Sequence, residues 1–326
     1  MKLNDLTPKW MDLKKTNFSK FAPLIALVVL VIISAIASPY FLSSRNILNL
    51  LRQSSYFGII ALGMTFIIAS EGIDLSVGSM LSFVGGVMVI SLNYYFIFFL
   101  APFAMLFAIL TGVVFGALVG AFNGVLSTVG RVAPFVATLA TMSIFRSLAL
   151  YFSGAGVFRV EVPGYTNIGA SLFLGIPVPV WIFGILAILA HLLLNNTRFG
   201  RYLLAAGASE QVARYSAIKV QLVKFIPYAL TGFMVAISAL LVSSRLNSIN
   251  STNAGLYYEL DAIASVVIGG TPLSGGVASI WGTVVGAIIL GIIGNMLNLM
   301  GVSPYLQGAV RGLVIIAAVS LQYKRQ

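Results

Sequence analysis

Long, unbroken runs of apolar residues recur along this chain, and they restrict its possible folds more than any other feature. A transmembrane helix needs about 20 apolar residues, whereas the strands of a membrane barrel alternate apolar and polar side chains over about ten. Helices also satisfy their own backbone polar groups, as lipid requires. Charged residues make up only 8% of the 326, against about 25% in soluble domains. We therefore predict an all-α, polytopic membrane protein.

The apolar runs predict about ten transmembrane helices, some of them discontinuous. Their expected ranges are 22–37, 48–70, 75–92, 95–128 (with a break near 112–120), 133–153, 178–195, 221–244, 258–270, 277–299 and 304–321. Residues 21–322 would then form one membrane domain, between a cytoplasmic N-terminal tail at 1–20 and a cytoplasmic C-terminus at 323–326.

The basic residues predict how the domain lies across the membrane. With both termini cytoplasmic, thirteen Lys and Arg fall on the cytoplasmic side and four, Arg45, Arg52, Arg159 and Arg245, fall outside. An excess of Lys and Arg on the cytoplasmic side is the usual pattern in membrane proteins. It accounts for the net charge of +11 without a nucleic-acid partner, because no cluster of aromatic and basic residues accompanies the charges.

Two short stretches, 198 residues apart, resemble each other. Leu-Ser-Val-Gly at 75–78 is followed by Phe83, and Leu-Ser-Gly-Gly at 273–276 is followed by Trp281. Many transporters contain repeats whose discontinuous helices meet at the substrate path. Short matches in a chain rich in Gly and Ser also arise by chance, so an internal repeat and coincidence both stay open.

Residues 197–220 form the one long polar, basic interval between the hydrophobic segments. Its Ala and Leu content favours short helices at the membrane surface. Such an exposed element is typical of a docking site for a soluble partner, which would make the chain one component of a larger machine.

The few acidic residues are candidates for gating or for the transport path. Glu71 and Asp74 lie in one motif, and Glu259 and Asp261 in another, each at the edge of an apolar run. A carboxylate within a membrane is costly and often functional, but one that begins a helix also acts as a cap. Both roles stay open. Further path candidates are Ser76, Gly78, Asn123, Thr138, Arg146, Asn295, Asn298 and Arg311.

Catalytic and metal-binding roles lack the residues they need. The chain has no Cys and a single His, His191, which we expect to pack against a neighbouring helix; a proton-relay role is the alternative. The Gly-rich stretch 269–277 lacks the Lys and Ser/Thr of a phosphate loop. We therefore expect no enzyme activity, no metal site and no cofactor bound by this chain.

Three stretches carry a family resemblance: GMTFIIASEGIDLSVGS at 63–79, the interval 197–220, and YELDAIASVVIGGTPLSGG at 258–276. Together they resemble the permease subunits of bacterial ribose-type sugar ABC importers, over residues 21–322. The resemblance implies a homodimeric pore in the bacterial inner membrane for a monosaccharide, most often ribose. It also implies a two-domain cytoplasmic ATPase, which holds ATP and Mg, and an extracytoplasmic sugar-binding protein.

The resemblance further implies that the interval 197–220 couples the pore to the ATPase. The coupling residues would be Arg198, Gly200, Arg201, Ala206, Gly207, Glu210, Ala213 and Arg214. Some positions depart conservatively from the family pattern, which leaves the ATPase partner open. The cargo also stays open among ribose, galactose, other pentoses and hexoses, a furanose-type signal and nucleosides. An ion-coupled secondary carrier is the alternative from another class, and a heterodimer is the alternative to a homodimer.

Overall fold

The computed structural model describes the backbone of residues 9–323, and the side chains from residue 22 onward except for several near the C-terminus. Residues 1–8 of the predicted tail and 324–326 of the predicted C-terminus lie outside the described residues. The described helices are α1 (Lys9–Ala37), α2 (Ser44–Ala69), α3 (Val77–Phe98), α4 (Ala101–Thr128), α5 (Pro134–Ser153), α6 (Thr166–Ala170), α7 (Val178–Asn196), α8 (Arg198–Ala208), α9 (Glu210–Tyr215), α10 (Val220–Leu246), α11 (Tyr258–Ile268), α12 (Ile280–Leu299) and α13 (Pro304–Tyr323).

Four short strands form two antiparallel pairs. β1 (Val157–Arg159) pairs with β4 (Ser248–Asn250), and β2 (Leu172–Phe173) pairs with β3 (Ile176–Pro177). The first pair joins the loop after α5 to the end of α10, so it closes one end of the helix bundle.

Each of the ten predicted apolar segments lies on a helix, which confirms the all-α, polytopic fold. Within the described part of the chain, seven helices are long and apolar enough to cross a membrane: α2, α3, α4, α5, α7, α10 and α12. Crossing by α1 and α13 stays a prediction, whereas α11, predicted as a span, is too short to cross alone. α1 begins at Lys9, so the described part of the predicted tail is continuous with the first apolar segment.

The predicted segment 95–128 was wrong in two respects. A helix end at Phe98 and a new start at Ala101, with Pro in its first turn, divide it. The break expected at 112–120 is absent because the glycines there are packing sites. An added Cβ at Gly116 or Gly120 would collide with Gly232 of α10. Small residues four apart let two membrane helices approach closely, and α4 therefore runs unbroken against α10.

Helix α2 occupies the centre of the bundle. Its residues from Ser54 to Ala69 are all buried, and neighbouring helices surround it. Thr65 lies 2.8 Å from Thr283 of α12 through their hydroxyls, and Ser238 of α10 donates to the carbonyl of Tyr56 at 2.8 Å. Because polar groups in lipid need internal partners, these contacts fix α2 against both helices.

Helix α11 is too short to cross a membrane alone. Its eleven residues span about 16 Å at 1.5 Å per residue, against about 30 Å of hydrocarbon. The preceding turn reaches the start of α3, where an added Cβ at Gly78 would collide with the carbonyl of Gly255. The prediction of discontinuous helices fits this region. The internal repeat stays a prediction.

Candidate functional site

The polar interval 197–220 folds into two short helices, α8 and α9, as its composition predicts. Thr197 caps α8 by accepting a hydrogen bond from the Gly200 amide at 3.2 Å. Ser209 caps α9 in the same way, with the Val212 amide at 3.4 Å. A hydroxyl at this position satisfies an amide that the helix leaves free, so the two caps fix where the chain turns.

Four of the eight predicted coupling residues face the bundle. Gly200, Ala206, Gly207 and Ala213 are buried. An added Cβ at Gly207 would collide with the carbonyl of Ala69 at the end of α2. These residues therefore position α8 and α9 on the bundle and leave the opposite face exposed.

The other four predicted coupling residues are polar and lie toward solvent. Arg198, Arg201 and Arg214 are exposed, and Glu210 is partly exposed. Glu210 bridges Arg214 at 2.6 Å and Lys224 of α10 at 2.8 Å. These hydrogen bonds, that from Lys224 first, hold the pKa of Glu210 below its ordinary value. The Lys224 pair ties α9 to the first turns of α10, whereas the Arg214 pair lies within α9.

Sequence reasoning missed the apolar part of this surface. Tyr202, Val212 and Tyr215 are 44%, 62% and 80% exposed, respectively. Exposed apolar groups rimmed by charges are typical of interaction sites. The signal was present, because Val212 and Tyr215 stand three apart on a short, otherwise polar helix.

The loop before α12 and the end of α2 connect this surface to the membrane helices. The Gly276 amide, in the loop before α12, donates to the carbonyl of Ala69 at 3.0 Å. An added Cβ at Gly276 would lie 2.9 Å from Ala208 of α8. The junction of α8 and α9 thus touches the loop before α12 and the end of α2 at once.

Asp74 lies three residues before α3, whose N-cap is Ser76, so it holds the N-cap residue and does not itself cap the helix. It is fully buried, and its Oδ1 accepts hydrogen bonds from the Ser76 amide at 2.8 Å and the Ser76 hydroxyl at 2.7 Å. Asn123 of α4 donates to Oδ2 at 3.3 Å and to the Ser76 hydroxyl at 2.7 Å. These contacts join α3 to α4. Glu71, by contrast, is exposed.

A polar cleft of about 410 Å³ lies between α3, α5 and α11. It brings together two predicted path residues, Arg146 and Glu259. Arg146 donates to the carbonyls of Ser251 at 2.7 Å and Ala254 at 3.1 Å, which holds the turn before α11. The cleft is also lined by Ser143, another polar residue that the sequence places within a span, and by four residues that sequence reasoning missed: Ser79, Met142, Ser147 and Leu256.

The cleft offers hydroxyl, guanidinium and carboxylate groups within a membrane-spanning bundle. Such groups exchange hydrogen bonds with the hydroxyls of a polar solute. Gly78 lies beside the cleft, because an added Cβ there would collide with Glu259. The structure thus groups three predicted path residues, Gly78, Arg146 and Glu259, around this cleft.

The remaining predicted path residues lie elsewhere. Asp261 and Arg311 form an ion pair at 3.1 Å between α11 and α13. Asn295 exchanges hydrogen bonds with Asn46 at 2.8 and 2.9 Å. Separate contacts bring Gln307 to Asn298 at 2.8 Å, Thr138 to its own helix at 2.7 Å, and His191 to Asn195 at 2.8 Å and to the Trp281 ring. The packing role expected for His191 fits its contacts.

A metal site is not evident within the described residues, where no three His, Cys, Asp or Glu come together in a group that could hold one.

Comparison with known proteins identifies relatives that cover almost the whole chain. Residues 46–319 match the family described as branched-chain amino acid transport system / permease component. The ribose import permease protein RbsC of Bacillus subtilis is 46% identical over 312 residues, which are 94% of this chain and 93% of that protein. No solved structure matches.

Two further relatives show how the similarity varies with the named sugar. The ribose import permease protein RbsC of Haemophilus influenzae is 42% identical over 90% of both chains. The L-arabinose transport system permease protein AraH of Escherichia coli is 35% identical over 96% of this chain and 94% of that protein. The chain is thus more similar to these ribose permeases than to this arabinose permease.

Proposed function

Because the chain belongs to the permease family of ABC importers, in the branch of the sugar permeases, we propose that it forms the pore of an ATP-driven importer of D-ribose. The observation that carries the cargo is the 46% identity, over nearly the full length, to a protein named a ribose import permease. The arabinose-named relative, at 35%, supports the same machine with a weaker match.

The surface helices α8 and α9 are the docking element for a separate two-domain ATPase. Exposed Tyr202, Val212 and Tyr215 supply an apolar centre, and Arg198 and Arg201 supply a charged rim. This arrangement of apolar core and polar rim is common at protein interfaces. The ATPase binds ATP and Mg, and the permease itself carries out no catalysis.

The orientation follows from this docking. α8 and α9 lie on the cytoplasmic side, both termini are cytoplasmic, and the chain crosses the inner membrane of a bacterium. The β1–β4 end then faces outward, where an extracytoplasmic sugar-binding protein delivers the cargo. A second copy of the chain completes the pore.

Coupling runs through the contacts at the α8–α9 junction. When ATP closes the ATPase, the surface helices move, and Gly207 and Ala208 move with them. Their contacts with Ala69 and Gly276 carry that movement to α2 and to the loop before α12. The polar cleft at Arg146 and Glu259 offers the sugar weak, exchangeable hydrogen bonds, while the binding protein supplies selectivity.

Uptake of labelled ribose into vesicles tests the proposal. Vesicles would hold this chain, with its ATPase and binding protein added or omitted. We expect ATP-dependent uptake only with all three. Uptake by this chain alone, abolished by an uncoupler, would establish a secondary carrier instead. No uptake of labelled ribose, together with ATP-dependent uptake of labelled arabinose by the same three components, would keep the machine and replace the cargo.

Substitution at Tyr215 separates docking from folding. Tyr215→Glu should reduce the amount of ATPase that co-purifies with the chain, because it places a charge at the centre of the apolar surface. Ser216→Glu is the matched control, since Ser216 is a neighbouring exposed residue outside the apolar group. Equal co-purification for the two variants would contradict docking through Tyr215.

A further inference from the structure

A second cavity, of about 380 Å³, lies near the end of the bundle opposite α8 and α9. Arg52 lines it from the early part of α2, and Arg245 lines it from the last turn of α10. The opposite ends of α2 and α10, at Ala69 and Val220, lie near α8 and α9. Asp261 and Arg311 complete the charged lining, from α11 and α13.

The cavity carries more positive than negative charge. Arg311 pairs with Asp261 at 3.1 Å, so these two charges offset each other. Arg52 donates to the neutral Asn49 side chain at 3.1 Å. Within the described residues, neither Arg52 nor Arg245 has a carboxylate partner. Two guanidinium charges are therefore left uncompensated around one concave space, which concentrates a positive potential there.

Two buried donors at this cavity also lack partners. Tyr56 lines the cavity and is only 7% exposed, and its hydroxyl has no hydrogen-bond partner among the described residues. The Nε atom of Arg52 is buried and unpartnered as well. Buried polar groups in folded proteins are nearly always paired, so two orphaned donors beside an excess of positive charge indicate a missing acceptor.

We propose that this cavity binds a small soluble oxyanion, such as phosphate, sulfate or a carboxylate. Such an anion supplies the acceptor oxygens that the two donors lack, and the planar guanidinium of Arg52 matches its geometry. A neutral sugar would supply hydroxyl acceptors but would leave both charges uncompensated. Because Arg52 and Arg245 belong to different helices, the bound anion joins α2 to α10.

Calorimetric titration of inorganic phosphate into the purified full chain, at constant ionic strength, tests the proposal. We expect saturable binding and a higher unfolding temperature with phosphate present, because a ligand of the folded state stabilises it. Arg52→Gln should weaken binding about tenfold or more, and Tyr56→Phe by about threefold, as expected for charged and neutral hydrogen bonds, respectively.

Arg159→Gln is the matched control, because Arg159 is exposed on β1 and does not line the cavity. Its affinity for phosphate should equal that of the unaltered chain. Tyr56→Phe removes only a hydroxyl, so it tests the site even if Arg52→Gln fails to fold. The proposal would be overturned if phosphate did not bind saturably, or if Arg159→Gln weakened phosphate binding as much as Arg52→Gln. Neither result bears on ribose uptake, which is measured separately.

Discussion

The contact of Gly207 with the end of α2 predicts what a single added methyl group does. In Gly207→Ala the new Cβ would collide with the Ala69 carbonyl and lie 2.8 Å from the Gly276 amide, whereas real Cβ atoms essentially never come within 3.0 Å of such atoms. α8 must then move away, which strains the Gly276–Ala69 hydrogen bond. Overpacking costs about 1–3 kcal/mol.

Two smaller terms nearly cancel in this substitution. Loss of the hydrogen bond costs about 1 kcal/mol, and replacing Gly by Ala in a helix contributes about 1 kcal/mol of stability. The expected net loss is therefore about 1–3 kcal/mol. Because the strained contact lies on the coupling route, we also expect slower ATP-driven uptake at a normal level of ATPase attachment.

Gly184→Ala is the matched control, since an added Cβ at Gly184 in α7 has no neighbour within 4 Å. Thermal unfolding in detergent and sugar uptake in vesicles would be measured for both variants. We expect a lower unfolding midpoint and slower uptake for Gly207→Ala only. Equal midpoints and equal uptake for the two variants would refute the close packing of α8 on α2 and its part in coupling.

Two further predictions follow from ion pairs. Asp261→Asn should lower the free energy of unfolding by about 3 kcal/mol, because it leaves the partly buried Arg311 without its partner. Chemical denaturation measures this loss. If the two residues are paired, the same substitution should cost less free energy in a chain that already carries Arg311→Gln. The pairs of Glu210 with Lys224 and Arg214 should stabilise the fold fully at pH values above the pKa that Glu210 has in the unfolded chain. This stabilisation should be lost as the pH falls through the lower pKa that Glu210 has in the folded chain. Unfolding midpoints of Glu210→Gln and the unaltered chain, compared across acidic pH, check this; a constant difference would contradict it.

The helices and the surface element could be predicted from the sequence because local signals determine them. Apolar runs of about 20 residues indicate spans, and hydroxyls at Thr197 and Ser209 mark the starts of α8 and α9. The end of α3 at Phe98 was missed because residues 95–100 are apolar throughout, so composition does not change where the helix stops. Only Pro102, just inside α4, marked the new start.

Which of the predicted path residues share the polar cleft could not be predicted, because that depends on contacts between distant segments. Arg146 meets carbonyls more than 100 residues further along the chain. Serines within spans, such as Ser143, often bond to their own helix instead of facing a cavity. Asn295 was a reasonable path candidate by composition, but its partner Asn46 lies 249 residues away.

The burial of α2 has a consequence for how the protein is made. It is the least apolar of the seven candidate spans and the most buried, yet it is synthesised long before α10 and α12, which contact Tyr56 and Thr65 through Ser238 and Thr283, respectively. Until residue 299 has entered the membrane, α2 must expose polar groups to lipid or remain at the insertion machinery. Truncation before α10 should therefore yield a chain that is degraded, and the order of translation sets a waiting time for α2 during biogenesis.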